Sequence, residues 1–335
     1  MKIVLPLPNV LTTLFIVVTE PLTFDIASFV PWRVGRPHRK AAMAALGSPL
    51  LTVSHHKTPW KPTDVNLSGE ERRRLRRARH HLVVSSTGTP PHLPGNLQVA
   101  RATARALART CDGLLIDPLT GSAVPSCERG PGEPGDFRLH DDWLTWDVQV
   151  HGDATCPPWD PSDTGACDCL RVTSKGLSRF GLPEITLDGA ACAHHLCATN
   201  LLRMVAHRLL ADHLSFLGTH PSAAARPLDD HLHIETADQA LLPGGHSGGH
   251  PGPPFTVRLT PCDADLGEPG RAGSIRRLKV SPAPGTGRVT CLKVGPPSGF
   301  TGSLNNWLCA TQGVSHASLT SIGHHLTDPA AALAA

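Results

Sequence analysis

Tyrosine is absent from all 335 residues, where ordinary usage would supply about ten. No step of any chemistry in this chain can therefore use a phenol as acid, base or nucleophile. Lysine is also scarce, with seven against 24 arginines, and there are only six asparagines, eight isoleucines and three methionines. These residues have A/T-rich codons, so their shortage reads as the translation of a very GC-rich gene. The same pressure inflates Arg, His, Pro, Gly and Ala, so a His-rich or Pro-rich pattern carries little weight by itself. Charged residues make up 18% and the net charge is +3. That excludes a general affinity for anions and confines any such affinity to a local cluster.

What is present is globular in composition, with 40% hydrophobic residues and enough length for one large core or two moderate ones. Proline and glycine total 63, which favours long loops and short elements. The ten cysteines begin only at Cys111, show no repeat, and read as small buried thiols in a reducing compartment.

Residues 1–30 contain no Gly, Arg or His, a composition shift that sets them apart as an atypical leader or anchor, an upstream extension, or a β-branched strand pair within the fold. Ile3 to Thr19 is uncharged, but Pro6, Pro8 and Asn9 interrupt it and the run is at the lower limit for a span, so no membrane span is expected. The expected localisation is cytoplasmic, with export or anchoring through residues 1–19 as the alternative. Residues 31–67 carry five prolines and read as irregular.

Order begins at Ser68-Gly-Glu-Glu71, a capping box that opens a helix to about His80. The segments 81–86 and 114–117 read as strands flanking an amphipathic helix with its N-cap at Asn96, and together predict a parallel βαβ crossover. On that helix Arg101, Arg105 and Arg109 fall off the apolar face. Strands are expected near 143–150, at 170–173 and at 184–187, followed by a long amphipathic helix from about Cys192 to Leu217. Pro243 to Pro254 reads as a linker. Beyond it, strands at 255–260, 275–280 and 288–294 and a short helix over 303–311 precede an Ala-rich tail.

The predicted class is α+β: one βαβ unit and a long amphipathic helix on a mixed sheet, with a smaller β-rich C-terminal part. The expected divisions are 1–67, 68–242, 243–254 and 255–335. The stretches Asp112-Gly-Leu-Leu-Ile-Asp-Pro-Leu-Thr-Gly121 and Gly176-Leu-Ser-Arg-Phe-Gly-Leu-Pro-Glu184 resemble uncharacterised proteins of high-GC actinobacteria. That resemblance implies a genomic origin and no activity.

Several motifs fail on their surroundings. Gly245-His-Ser-Gly-Gly249 matches G-x-S-x-G, but the prolines on both sides preclude the strand–turn–helix elbow that exposes such a serine. His231 and His233 would share one face of a strand, yet 20 histidines in this length give about one H-x-H pair by chance, and Glu235 would lie about 13 Å from His231. Cys156, Cys167 and Cys169, with Cys192 and Cys197, have the chemistry of a thiolate zinc site. However, there is no C-x-x-C pair, and C-x-C with C-x4-C is an atypical combination. Accordingly no catalytic residue, metal or cofactor is assigned.

The remaining constellation is the Arg-rich helix. Arg72 with Arg76 and Arg73 with Arg77 are like-charge pairs at i,i+4, which cost helix stability. A helix that accepts this repulsion suits an anion, and Arg72, Arg73, Arg76 and Arg77 are its candidate ligands for nucleic-acid phosphate or an acidic protein. The expected function is a non-enzymatic accessory or regulatory one. The alternative is a metal-dependent hydrolase using His231 and His233.

Overall fold

The computed structural model describes residues 2–20, 33–62, 65–125, 133–139, 142–150, 156, 167–239, 253–262 and 289–311. Its class is α+β, as the patterning predicts. The G-x-S-x-G stretch, the expected strand at 275–280 and the Ala-rich tail lie outside the described residues.

The segment 2–20 is built into the fold as two strands, one of the readings left open for the first thirty residues. Its first strand, β1 (Lys2–Pro6), pairs antiparallel with β10 (Ala225–Asp229). Its second, β2 (Leu11–Thr19), is the central strand of a five-stranded sheet. The order across that sheet is β3 (Thr52–His56), β4 (His80–Gly88), β2, β5 (Leu114–Asp117), β6 (Ser122–Ala123). From Phe15 to Val18 strand β2 is apolar on both faces because both are covered, whereas Thr12 and Leu14 are exposed. Phe15 and Val17 enter the main core with Ala100, Ala104 and Leu107 of helix α3 (Gly95–Thr110). On the other face Ile16 and Val18 join Leu67, Ala78, Leu114 and Ile116 in a second, smaller core. A strand buried on both sides reads as a continuous hydrophobic run, which is why this segment resembles a leader when read in isolation.

The expected crossover forms as a split βαβ unit, with α3 between β4 and β5 in the chain and β2 between them in the sheet. Both β4 and β5 are antiparallel to β2, so they run in the same direction, but β2 separates them. Residues 31–67 are also less irregular than their prolines suggest: α1 (Arg36–Ala45) takes Pro37 in its first turn, where the missing N–H costs nothing, and β3 forms the sheet edge.

Helix α2 (Gly69–Arg77) opens with the expected capping box: Glu71 N–H donates to Ser68 Oγ at 3.3 Å and Ser68 N–H to Glu71 Oε2 at 2.7 Å. None of its residues is buried, and Leu75 lies half-buried against the small core. Helix α3 starts without a side-chain cap, since Asn96 donates to Ser86 Oγ instead. Arg101, off the apolar face as expected, is nonetheless buried. Its guanidinium meets Glu133 at 2.9 and 3.0 Å and stacks 3.5 Å over the Trp143 ring.

The second sheet has six strands in the order β11 (His231–Ile234), β12 (Phe255–Cys262), β13 (Cys291–Gly295), β9 (Glu184–Ala190), β8 (Leu170–Lys175), β7 (Thr145–Val150). Only β13 and β9 are parallel; the sheet is mixed. The strands beyond residue 254 thus complete the sheet begun at 145–190. Helix α4 (His195–Thr219) lies against it, burying Leu201, Leu202, Val205, Leu209 and Leu210. A short α5 (Thr236–Gln239) and α6 (Leu304–Thr311), the last of the described helices, also pack on α4.

The turn between β8 and β9 is the sequence Gly176 to Pro183. It is organised by Glu184, whose carboxylate accepts from Ser174 Oγ at 2.6 Å and from the amides of Gly176, Leu177 and Ser178 at 3.0 to 3.2 Å. Gly176 has φ +126°, and a Cβ there would sit 2.5 Å from the Trp143 carbonyl.

Candidate metal centre

Four cysteine sulfurs converge at one end of the six-stranded sheet. The ligand atoms of Cys156, Cys167, Cys169 and Cys192 all lie within 4.8 Å of one another. Cys169 Sγ is 3.1 Å from Cys156 Sγ and 3.2 Å from Cys167 Sγ. These separations are well beyond an S–S bond of about 2.05 Å, and all four thiols are free. A tetrahedral ion with metal–sulfur distances of about 2.3 Å requires sulfur–sulfur edges of about 3.8 Å. The observed cluster brackets that value.

Three segments supply the thiols. Cys167 and Cys169 immediately precede β8, so their positions are fixed by a strand whose Leu170 is fully buried. Cys192 begins the single 3-10 turn that leads into α4. Cys156 comes from the connection between β7 and β8. The two better-anchored segments are tied by Asn305 of α6, which is 3% exposed. Its Oδ1 accepts from Ala191 N–H at 2.8 Å, and its Nδ2 donates to the Cys167 carbonyl at 3.3 Å. One amide side chain from a third element thus sets the spacing between Cys167 and Cys192.

The electrostatics favour a thiolate at Cys167. Burial raises its pKa, but the backbone amides of Cys169 and Cys192 and the thiols of Cys169 and Cys156 outweigh that, leaving it at about 7. Amides aimed at a sulfur stabilise its anion. Cys169 is pushed up to about 11 by burial and by its Cys156 and Cys167 neighbours, as expected when several thiols share one site and only one ionises easily. A divalent cation among them would remove that conflict.

Spacing rules discount this set because they look for C-x-x-C. Here the pair is C-x-C, and the partners arrive through the fold, 13 residues back at Cys156 and beyond β9 at Cys192. The fifth cysteine considered with them, Cys197, is elsewhere: it is buried in α4, and burial raises its thiol.

The other sequence candidates are not assembled into a site. His231 and His233 do share the exposed face of β11, the edge strand. However, His231 meets Asp230 and Ser298, His233 meets Thr256, and Glu235 is turned to Arg208 at 3.0 Å. Among the described residues the four cysteines are the only group of three or more candidate ligands. In α2, Arg72 Nε donates to the Leu67 carbonyl at 2.7 Å and Arg73 pairs with Glu70, so two of the four expected anion ligands are engaged within the protein. Arg76 and Arg77 are exposed. No helix among the described residues is long and apolar enough to cross a membrane. No family model, curated protein or solved structure matches the chain.

Proposed function

We propose that Cys156, Cys167, Cys169 and Cys192 bind one zinc ion, and that the protein is a zinc-organised, non-enzymatic accessory or binding protein. The observation that carries this reading is the convergence of the four sulfurs within 4.8 Å. An all-thiolate set is soft and selects zinc over magnesium or calcium. It is too compact to enclose an iron–sulfur core, whose inorganic atoms hold the thiolates further apart. Four protein ligands also close the coordination sphere, leaving no position for an activated water, which is the signature of a structural zinc site. The metal would join Cys156 to the start of β8 and to the turn that opens α4.

Metal analysis of protein purified without a tag from zinc-supplemented cells tests this. One zinc per chain is expected, falling below a tenth of that in the Cys167→Ser/Cys169→Ser variant. Four thiols that react freely with a thiol reagent in the native protein, with no bound zinc, would refute it.

A further inference from the structure

The arginines that α2 leaves uncommitted belong to a larger cationic surface that the sequence did not delimit. Within α2 the acidic groups are already used: Glu71 caps the Ser68 amide, and Glu70 is held below its ordinary range by its bond to Arg73, with Arg77 and Arg74 also contributing. Arg74 is bound to Asp112 at 3.2 Å. Arg76, Arg77 and Arg79 remain exposed, with no ion-pair partner among the described residues. Arg79 leads directly into β4, and its amide donates to Thr19 at the end of β2, where the exposed Glu20 follows.

Two histidine pairs and Lys57 line the adjoining sheet edge. His56 of β3 stands opposite His81 of β4 in the antiparallel register, and their rings stack at 4.6 Å with planes 9° apart. His81 Nδ1 lies 2.7 Å from the Thr58 carbonyl, which fixes the pair beside Lys57. One position along, His55 Nε2 is 3.0 Å from His80 Nδ1. The His55 and His80 rings are stacked with centroids 5.2 Å apart. Arg76, Arg77 and Arg79 thus lead along the chain from the last turn of α2 through an extended segment into β4, whose His81 is paired with His56.

We infer that this surface binds single-stranded nucleic acid, with Arg76, Arg77 and Arg79 on successive phosphates and the His56–His81 stack against a base. A row of guanidiniums fits an extended polyanion better than a compact carboxylate. Stacked rings beside a charged track are how strands are held without base-specific contacts. Binding is sequence-independent, because phosphate contacts carry no sequence information. The inference is independent of the cysteine cluster.

The test uses zinc-replete full-length protein with fluorescent oligonucleotides, single-stranded and duplex, titrated at several salt concentrations. Expected are tighter binding to the single strand and a steep loss with salt. In Arg76→Ala/Arg77→Ala/Arg79→Ala the log–log salt slope should be shallower by about two, at about 0.7 per phosphate contact. His56→Ala/His81→Ala should weaken the single strand at least fivefold at pH 8 with its slope kept, and Arg258→Ala, an exposed arginine on β12, should change nothing. Absence of binding at 50 mM salt, a preference for duplex, or equal affinity for polyglutamate with the same variant pattern would each overturn the inference.

Discussion

Arg179 donates to Asp117 at 2.6 Å, with both side chains essentially inaccessible to solvent. This contact joins the two stretches that stand out most in the sequence. Asp117 closes β5 in the five-stranded sheet, where its other carboxylate oxygen accepts from the Leu119 amide. Arg179 comes from the Glu184-organised turn of the six-stranded sheet, with its guanidinium facing the Trp143 and Phe15 rings. The pair is therefore the ionic bolt between the two sheets.

Breaking such a pair from one side leaves a buried charge uncompensated, at a cost of about 3–5 kcal/mol. Asp117→Asn, which keeps an acceptor for Leu119, and Arg179→Met should each lose about that much in urea unfolding. The double variant should lose clearly less than the sum, giving a coupling of at least about 1 kcal/mol. Additive losses would show that the two residues act separately.

Gly176→Ala should destabilise the protein by about 3 kcal/mol or more. The residue has φ +126°, in a region that costs a side chain about 1–3 kcal/mol, and the added Cβ would also meet the Trp143 carbonyl at 2.5 Å. Gly189→Ala is the comparison, since φ is +96° there but a Cβ would meet no atom within 4 Å; it should cost less. Equal melting temperatures for the two variants would contradict the close-approach argument.

His213 of α4 gives a pH dependence with a defined sign. Burial and then the Arg226 guanidinium push its imidazole down to about 4, despite the opposing bond to the Phe180 carbonyl at 3.0 Å. The unfolded imidazole takes up a proton near 6.5. Stability is therefore complete above about pH 6.5 and is lost as pH falls toward 4, by up to about 3 kcal/mol. His213→Gln, which retains a donor for Phe180, should lose less stability than the unmodified protein between pH 7.5 and 4.5. Parallel pH profiles would exclude His213 as the source.

Asn305→Leu should weaken zinc affinity about 10- to 100-fold, the usual cost of removing a group that orients metal ligands, while the fold is retained at saturating zinc. Competition with a chromophoric chelator reads this. Unchanged affinity would mean that Asn305 does not set the spacing of Cys167 and Cys192.

Much of the local structure is legible directly. The Ser68 capping box, β4, α3, β5, α4 and α6 lie within a few residues of where period and caps place them. What escapes is set by distant contacts. Composition isolates residues 1–30, but only pairing with β4 and β5 makes Leu11–Thr19 a central strand, because burial on both faces is a property of the neighbours. Arg101 has the pattern of a solvent-facing residue, yet Glu133 and Trp143 lie against its guanidinium. The thiol cluster is visible as chemistry but not as geometry. Sequence spacing tests one local loop, and Cys192 reaches the others only after β8 and β9 have folded back. The basic helix is legible, yet which guanidiniums remain uncommitted depends on Leu67, Glu70 and Asp112.

The zinc reading requires that four sulfurs hold one metal ion. X-ray absorption at the zinc edge, on protein purified with its metal, tests it most directly. A single shell of four sulfurs at about 2.3 Å is expected, replaced by a mixed shell when Cys192 is changed to serine. A first shell containing nitrogen or oxygen in the unmodified protein, or zinc whose shell is unchanged by Cys192→Ser, would contradict it.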